Sequence, residues 1–296
     1  MDQKGCLMSV YCPWWMKICA KLILSRLPVG YPSWQRLGLF RHGRMDQADY
    51  IANIFDKHIR FAGLADRLHD KVILELGPGD SAGSALLAYG FGARAILLDA
   101  GSFAVRDIQF YKMLAESFRL MGLEQPEIDD AVTLDDVLSA TGAKYLTEGL
   151  NSFAQIETGS VDLLYSQAVL EHVRKHEFIM TMNECRRVIS SEGIISHSID
   201  LKDHLGGGLN NLRFSEDLWE SNFFAKSGFY TNRVRFSEMC RYFKESSFEV
   251  EVMQVDMWEK LPITRHEIDS SFSVFSDQDL CVKGFDVLLR PVGDSL

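Results

Sequence analysis

The sequence predicts an α/β fold: a doubly wound, mostly parallel sheet with an antiparallel last strand, an N-terminal helical extension and helical cap insertions. Three observations predict it. Short apolar runs alternate with helix-length amphipathic stretches from 71 to 201, the pattern of right-handed β-α-β crossovers. The first of these runs, "VILEL", opens directly into the glycine-rich "GPGDSAG", as a strand-loop-helix unit does at the ligand edge of such a sheet. A chain of 296 residues with 47% hydrophobic content is long enough to bury one large core with additions.

The elements follow in order. Residues 14–27 hold an apolar stretch interrupted by Lys17, Lys21 and Arg26, and Pro28, Gly30 and Pro32 end it. Residues 46–61 repeat apolar side chains at Ile51, Ile54, Phe55 and Ile59, a helical spacing. Strands are expected at 72–76, 95–98, 144–146, 161–165 and 194–201. Helices are expected at 81–89, 110–120, 134–140 and 178–189, the last with its exit at Gly193. A helix at 236–244 and strands at 248–255 and 285–289 complete the chain. Residues 1–69 thus read as a helical extension and 70–296 as the main domain, with a cap segment around 202–235.

Composition excludes several function classes. A formal net charge of −10 argues against a nucleic-acid binder, which needs a basic footprint. The six cysteines form no C-x-x-C pair and no zinc spacing, so a reducing, cytoplasmic setting is expected. The stretch 14–27 is too short and too charged to span a membrane and has no cleavable-signal layout. Its lysines and its apolar residues fall on different helical faces, so packing on the domain is expected, with peripheral membrane contact as the sharper alternative.

The glycine loop carries two acids, Glu75 and Asp80, and Pro78 stands between Gly77 and Gly79. A phosphate-binding loop needs backbone N–H groups and positive potential, and proline removes one N–H. The third glycine of the dinucleotide fingerprint is also displaced: Ala82 stands in its place. Acids at this position suit a nucleotide that carries positive charge and no phosphate. Asp99, about twenty residues on at the end of the second strand, occupies the place where a carboxylate receives ribose hydroxyls.

"VILELGPGDS", "AILLDAGS" and "SVDLLYSQAVLEHV" together resemble the class I S-adenosylmethionine-dependent methyltransferases over roughly residues 70–255. The resemblance implies a Rossmann-like fold and S-adenosyl-L-methionine as cofactor. It implies that Glu75, Gly77, Gly79 and Ser81 hold the methionyl part. By the same likeness Asp99 binds the ribose, Ser166 and Gln167 lie at the methionine end, and Leu150 or Asn151 lies at the adenine. The strings "LGLFRHGRMD", "HSIDLKDHLGGG" and "FYTNRVRFSEMCRYF" are similar to methyltransferases that accompany bacterial surface-polysaccharide and sugar modification. This implies O-methylation of a sugar or other small hydroxyl acceptor, a small molecule or a glycan. A non-catalytic cofactor-binding partner protein, an N- or C-methyltransferase and a nicotinamide oxidoreductase are the competing readings.

Transfer to a hydroxyl needs a base near neutral pH, which points to histidine. His204 follows the fifth strand, with Asp200 as its orienting carboxylate, and His172 of "LEHV" is the other candidate. His42, Arg213, Tyr230 and Arg233 are candidates for acceptor binding, because arginine suits carboxylate or phosphate and aromatic rings suit sugar faces. His197, Asp200, Asp203 and His204 cluster in sequence, but His197 and Asp200 fall on opposite faces of a strand, so no metal site is expected.

Overall fold

The computed structural model describes residues 13–24, 26 and 45–293. Two helices, α1 (Trp14–Leu24) and α2 (Ala48–Phe61), precede a seven-stranded sheet. Its strands are β1 (Val72–Leu76), β2 (Arg94–Leu98), β3 (Lys144–Leu146), β4 (Val161–Gln167), β5 (Ile189–Asp200), β6 (Phe248–Met257) and β7 (Val282–Pro291). The connecting helices are α3 (Gly83–Gly90), α4 (Ile108–Leu120), α5 (Leu134–Thr141), α6 (Phe178–Val188), α7 (Glu216–Glu220), α8 (Asn222–Ala225), α9 (Phe236–Glu245) and α10 (Asp277–Leu280).

The spatial order is β3-β2-β1-β4-β5-β7-β6. Strands β1 to β5 pair in parallel, and β7 runs antiparallel to both of its neighbours, β5 and β6. This is the Rossmann-like order with one antiparallel strand inserted between the fifth and the sixth. The chain reverses direction across the sheet between β1 and β4, so a crevice opens beyond their C-terminal ends.

Alternation along each strand sends side chains to two cores. Ile73, Leu97, Leu163 and Tyr165 face α2, α3 and α4 and meet Ile51, Phe55, Leu114 and Phe118. Leu74, Leu164, Ile195 and Val287 face α6 and α9 and meet Phe178, Met182, Met239 and Phe243. Each such side chain, taken fully from water, contributes about 1.5–3 kcal/mol. Local signals fix the ends. Thr133 and Asp136 form a reciprocal capping box at the start of α5, and Gly142 closes it with φ of 66°, in the left-handed region that glycine adopts without steric cost.

Three boundaries differ from the sequence expectation. Helix α3 begins at Gly83 rather than 81, because Ser81 Oγ accepts the Gly83 N–H at 3.0 Å and keeps the preceding residues in the loop. Gly193 is not a helix exit. Helix α6 ends at Val188, β5 begins at once, and Gly193 lies inside the strand where the pairing with β4 shifts register. A Cβ at Gly193 would come within 2.8 Å of the Ile189 side chain, so the irregular stretch needs glycine. Strand β7 runs over ten residues because it is the partner of two long strands.

Helix α1 packs on the cap segment, with Ile18 buried among Leu205, Trp219, Phe224, Phe229 and Tyr230. Lys21 points inward and donates to the carbonyls of His204 (3.1 Å) and Gly228 (3.4 Å). Trp15, Met16, Cys19, Ala20 and Ile23 form the exposed side of the helix. Among the described residues, no helix is long and apolar enough to cross a membrane.

Candidate functional site at the C-terminal edge of the sheet

The glycine loop leaves β1 at the point of strand reversal. Gly77 and Gly79 have φ of 69° and 65°. A Cβ at Gly77 would lie 2.5 Å from Val169 Cγ2, so the loop packs directly on the segment that follows β4. Gly79 donates its N–H to Asp99 Oδ2 at 2.9 Å, and Ala100 N–H donates to Asp99 Oδ1 at 2.7 Å. Asp99 therefore ties the glycine loop to the end of β2.

Glu75 turns inward, whereas Asp80 is half-buried. Glu75 is 5% exposed and lies beneath the loop, where the Ser84 hydroxyl donates to its carboxylate and Tyr165 lies alongside. Burial pushes its pKa up to about 7, against the lowering effect of Ser84 and Tyr165. Ser84 sits in the first turn of α3. The N-terminus of this helix, the place where a phosphate would sit, is thus backed by a carboxylate. Ser81 is fully buried and spends its hydroxyl oxygen on the Gly83 N–H.

Ser166 and Gln167 are adjacent but part company across the sheet. Ser166 is buried on the α9 side, its Oγ 2.7 Å from His197 Nδ1. The His197 ring stacks on Phe243, and burial pushes its pKa down to about 3. Gln167 is half-buried on the α2 side.

His172 and His204 come together: their ring centroids are 4.8 Å apart. His172 Nδ1 lies 3.0 Å from the Tyr230 carbonyl oxygen, which makes Nδ1 the donor. Burial lowers the His204 pKa from its ordinary value, with Asp200 acting in the opposite sense, so the ring is neutral at pH 7. The expected Asp200–His204 hydrogen bond is not formed. Asp200 instead accepts from the Lys202 backbone N–H at 2.9 Å and faces the Lys202 ammonium at 3.1 Å, because the tight turn after β5 brings Lys202 closer. Among the described residues, no group of three or more His, Cys, Asp or Glu side chains is placed to hold a metal ion.

The basic and aromatic stretch expected to meet an acceptor forms the interior of the cap. Arg233 is 3% exposed, donates to the Phe214 carbonyl and to Glu216, both at 2.6 Å, and lies over the Trp219 and Phe272 rings. Tyr230 donates its hydroxyl to Glu220 at 2.9 Å. Arg213 pairs with Glu267 at 2.7 Å and stacks over Trp14. Their polar groups are engaged by protein partners in the cap and in the segments packed on it, which is how so many charged residues are accommodated in a small layer. His42 lies outside the described residues.

Sequence reasoning passed over three groups at this edge. Lys57 of α2 donates to Ser198 Oγ (2.8 Å) and Asp286 Oδ1 (2.7 Å), and Ser198 donates to the same carboxylate oxygen at 2.5 Å. His58, next along α2, is fully buried, with Nδ1 2.8 Å from Ser196 Oγ and its ring stacked on Tyr165. Glu171 is 1% exposed, and neither of its carboxylate oxygens makes a hydrogen bond of normal geometry. Burial lifts its pKa to about 8. The one sequence signal was Asp286, a lone acid inside the apolar run "FDVLL".

An open depression of about 710 Å³, lined by His69, Tyr89, Arg94 and Glu124 among others, lies at the opposite, N-terminal ends of β1 and β2. It shares no residue with this edge.

No protein-family model matches the sequence, and no curated protein matches it. Among solved structures, the chain is similar to the YcgJ protein of Bacillus subtilis, with 14% identity and a TM-score of 0.44 over 80% of this chain and 100% of that one. It is also similar to an S-adenosylmethionine-dependent methyltransferase from Methanosarcina mazei, with 16% identity and a TM-score of 0.44 over 76% and 93% of the two chains. A third is phosphoethanolamine N-methyltransferase 2 of Haemonchus contortus, in complex with phosphomonomethylethanolamine and S-adenosylhomocysteine; it shows 13% identity and a TM-score of 0.45 over 90% and 60%. These are likenesses of fold.

Proposed function

We propose that the chain is an S-adenosylmethionine-dependent methyltransferase acting on a hydroxyl of a sugar or other small acceptor. One observation carries the reading: the glycine loop at the strand reversal is built against phosphate. Pro78 has no N–H, the Gly79 N–H is already given to Asp99, and the buried Glu75 carboxyl stands behind the first turn of α3. A pyrophosphate placed there loses its donors and meets carboxylates. A nucleoside with a sulfonium and an ammonium group gains from the same arrangement, since positive charge beside Glu75 offsets the cost of burying its ionised form.

When bound, the cofactor supplies an electrophilic methyl group and a neutral thioether leaving group. The chain's residues do the remainder. Gly77 and Gly79 let the backbone approach the methionyl part, and Asp99 holds the ribose side of the loop. Gln167 faces the reacting end from β4. His204, neutral at pH 7, takes the acceptor proton as the oxygen attacks, and His172 packs against its ring to fix its place. A nicotinamide oxidoreductase is disfavoured by the same loop.

The test is a methyl-transfer screen with isotopically labelled donor against sugars and nucleotide sugars. Label appearing in a sugar supports the reading. Cofactor binding without transfer to any acceptor turns it into that of a non-catalytic binding protein.

A further inference from the structure

We infer that Lys57, Ser198 and Asp286 form the acceptor subsite, and that it takes an uncharged polyol such as a pyranoside with neighbouring hydroxyls. The inference rests on the methyltransferase reading and gives its acceptor a place and a class. The register puts Gln167, Ser198 and Asp286 side by side on β4, β5 and β7. Leu76 is paired with Ser166, so this row starts beside Gly77 of the glycine loop. Adjacent strands are about 4.8 Å apart, which sets Asp286 roughly 10 Å from Gln167, about one small-molecule width away. The three side chains share the α2 side of the sheet with Asp200, two residues on from Ser198.

The atoms available define the ligand. Asp286 Oδ1 accepts from both Lys57 and Ser198, which locks the carboxylate. Its Oδ2 accepts no hydrogen bond from the described residues and is not fully enclosed, at the edge of a side chain that is 12% exposed. Lys57 is 33% exposed at its side chain and has spent two of its three N–H donors. One open acceptor oxygen next to one open donor matches a pair of hydroxyls, one giving and one receiving a hydrogen bond. The charges cancel within the pair, so an anionic acceptor meets Asp286 and a cationic one meets Lys57. The half-buried Phe61 ring lies 5.7 Å from the Lys57 ammonium and offers an apolar face to the C–H side of a sugar. Neighbouring His58, held neutral by a pKa pushed down to about 3 through burial, adds no charge.

The experiment uses the full chain loaded with S-adenosylhomocysteine. Saturation-transfer NMR is recorded with methyl α-mannopyranoside, methyl α-galactopyranoside and methyl α-rhamnopyranoside at millimolar concentration, with phosphoethanolamine and acetate as charged controls. The expected result is glycoside signal in the native protein and none from the controls. Asp286→Asn and Lys57→Met should each weaken glycoside binding roughly 10- to 100-fold, as loss of a charged hydrogen bond does. S-adenosylhomocysteine affinity and melting temperature should stay as in the native chain in at least one of the two variants. With a methylated sugar in hand, KM should rise by the same factor while kcat changes little. If no glycoside binds to protein that does bind S-adenosylhomocysteine, or if binding survives in both variants, the inference is overturned. Failure of S-adenosylhomocysteine itself to bind is a different result: it removes the methyltransferase reading on which this one stands.

Discussion

Replacing Glu75 by Gln tests the loop directly, because it removes the charge while keeping the size and one acceptor oxygen for Ser84. Buried under the loop, Glu75 has its pKa raised from an ordinary 4.5 to about 7. At 1.36 kcal/mol per tenfold change, that displacement corresponds to ~3 kcal/mol of folding free energy. The sign follows from proton counting. Between the two values the folded chain binds more protons at this site than the unfolded chain, so native stability falls as pH rises from about 4.5 to 7. The Gln variant has no such loss. Relative to the native protein it should be favoured by under about 1 kcal/mol at pH 5 and by ~3 kcal/mol at pH 8. Urea unfolding at pH 5, 6, 7 and 8, without ligand, reads the difference. A pH-independent difference, or a variant less stable than the native chain at pH 8, would refute the reasoning. The same variant should bind S-adenosylmethionine more weakly at pH 8, since the ionised carboxylate it lacks is the group that favours a cation.

Three further outcomes are expected. Asp99→Ala should weaken S-adenosylhomocysteine binding by about 1.5–3 kcal/mol, because the proposed ribose acceptor is lost together with the anchor of the Gly79 N–H; calorimetry on the folded variant measures it, and unchanged affinity removes Asp99 from the site. His204→Ala should lower turnover about a hundredfold to ten-thousandfold with S-adenosylhomocysteine affinity intact. The native rate should hold to lower pH than an ordinary histidine allows and then fall on protonation, since burial lowers the pKa of this ring; a rate profile from pH 5 to 8 shows whether it does. Arg233→Met should cost ~2 kcal/mol of stability by leaving the Phe214 and Asn211 carbonyls and Glu216 without their donor, and should leave acceptor KM unchanged; a raised KM in a folded variant would return Arg233 to the acceptor site.

The strands and most helices were legible because apolar spacing is a local property: "VILEL" and "AILL" are read from neighbours alone. The glycine loop was legible for the same reason, down to the missing phosphate donors. What escaped is what depends on distant partners. Lys57 carries no motif, and Asp286 lies 229 residues away from it; only the pairing of β5 with β7 and the packing of α2 bring them together. The chemistry of Arg233 and Tyr230 suits a sugar, yet Glu216 and Glu220 on α7 take them. The Asp200–His204 pairing failed on a local detail, the turn that offers Lys202 to Asp200 first. The ring contact between His172 and His204 could be foreseen only as two loops at one edge.

A glycine loop built against phosphate should select a cationic or neutral nucleoside over a phosphate-bearing one. Isothermal calorimetry on the native chain, titrated in turn with S-adenosylhomocysteine and with NADH near neutral pH, tests it most directly. Saturable binding of S-adenosylhomocysteine is expected, with no heat from NADH at the same millimolar concentration. Saturable NADH binding, or no binding of S-adenosylhomocysteine, would contradict it.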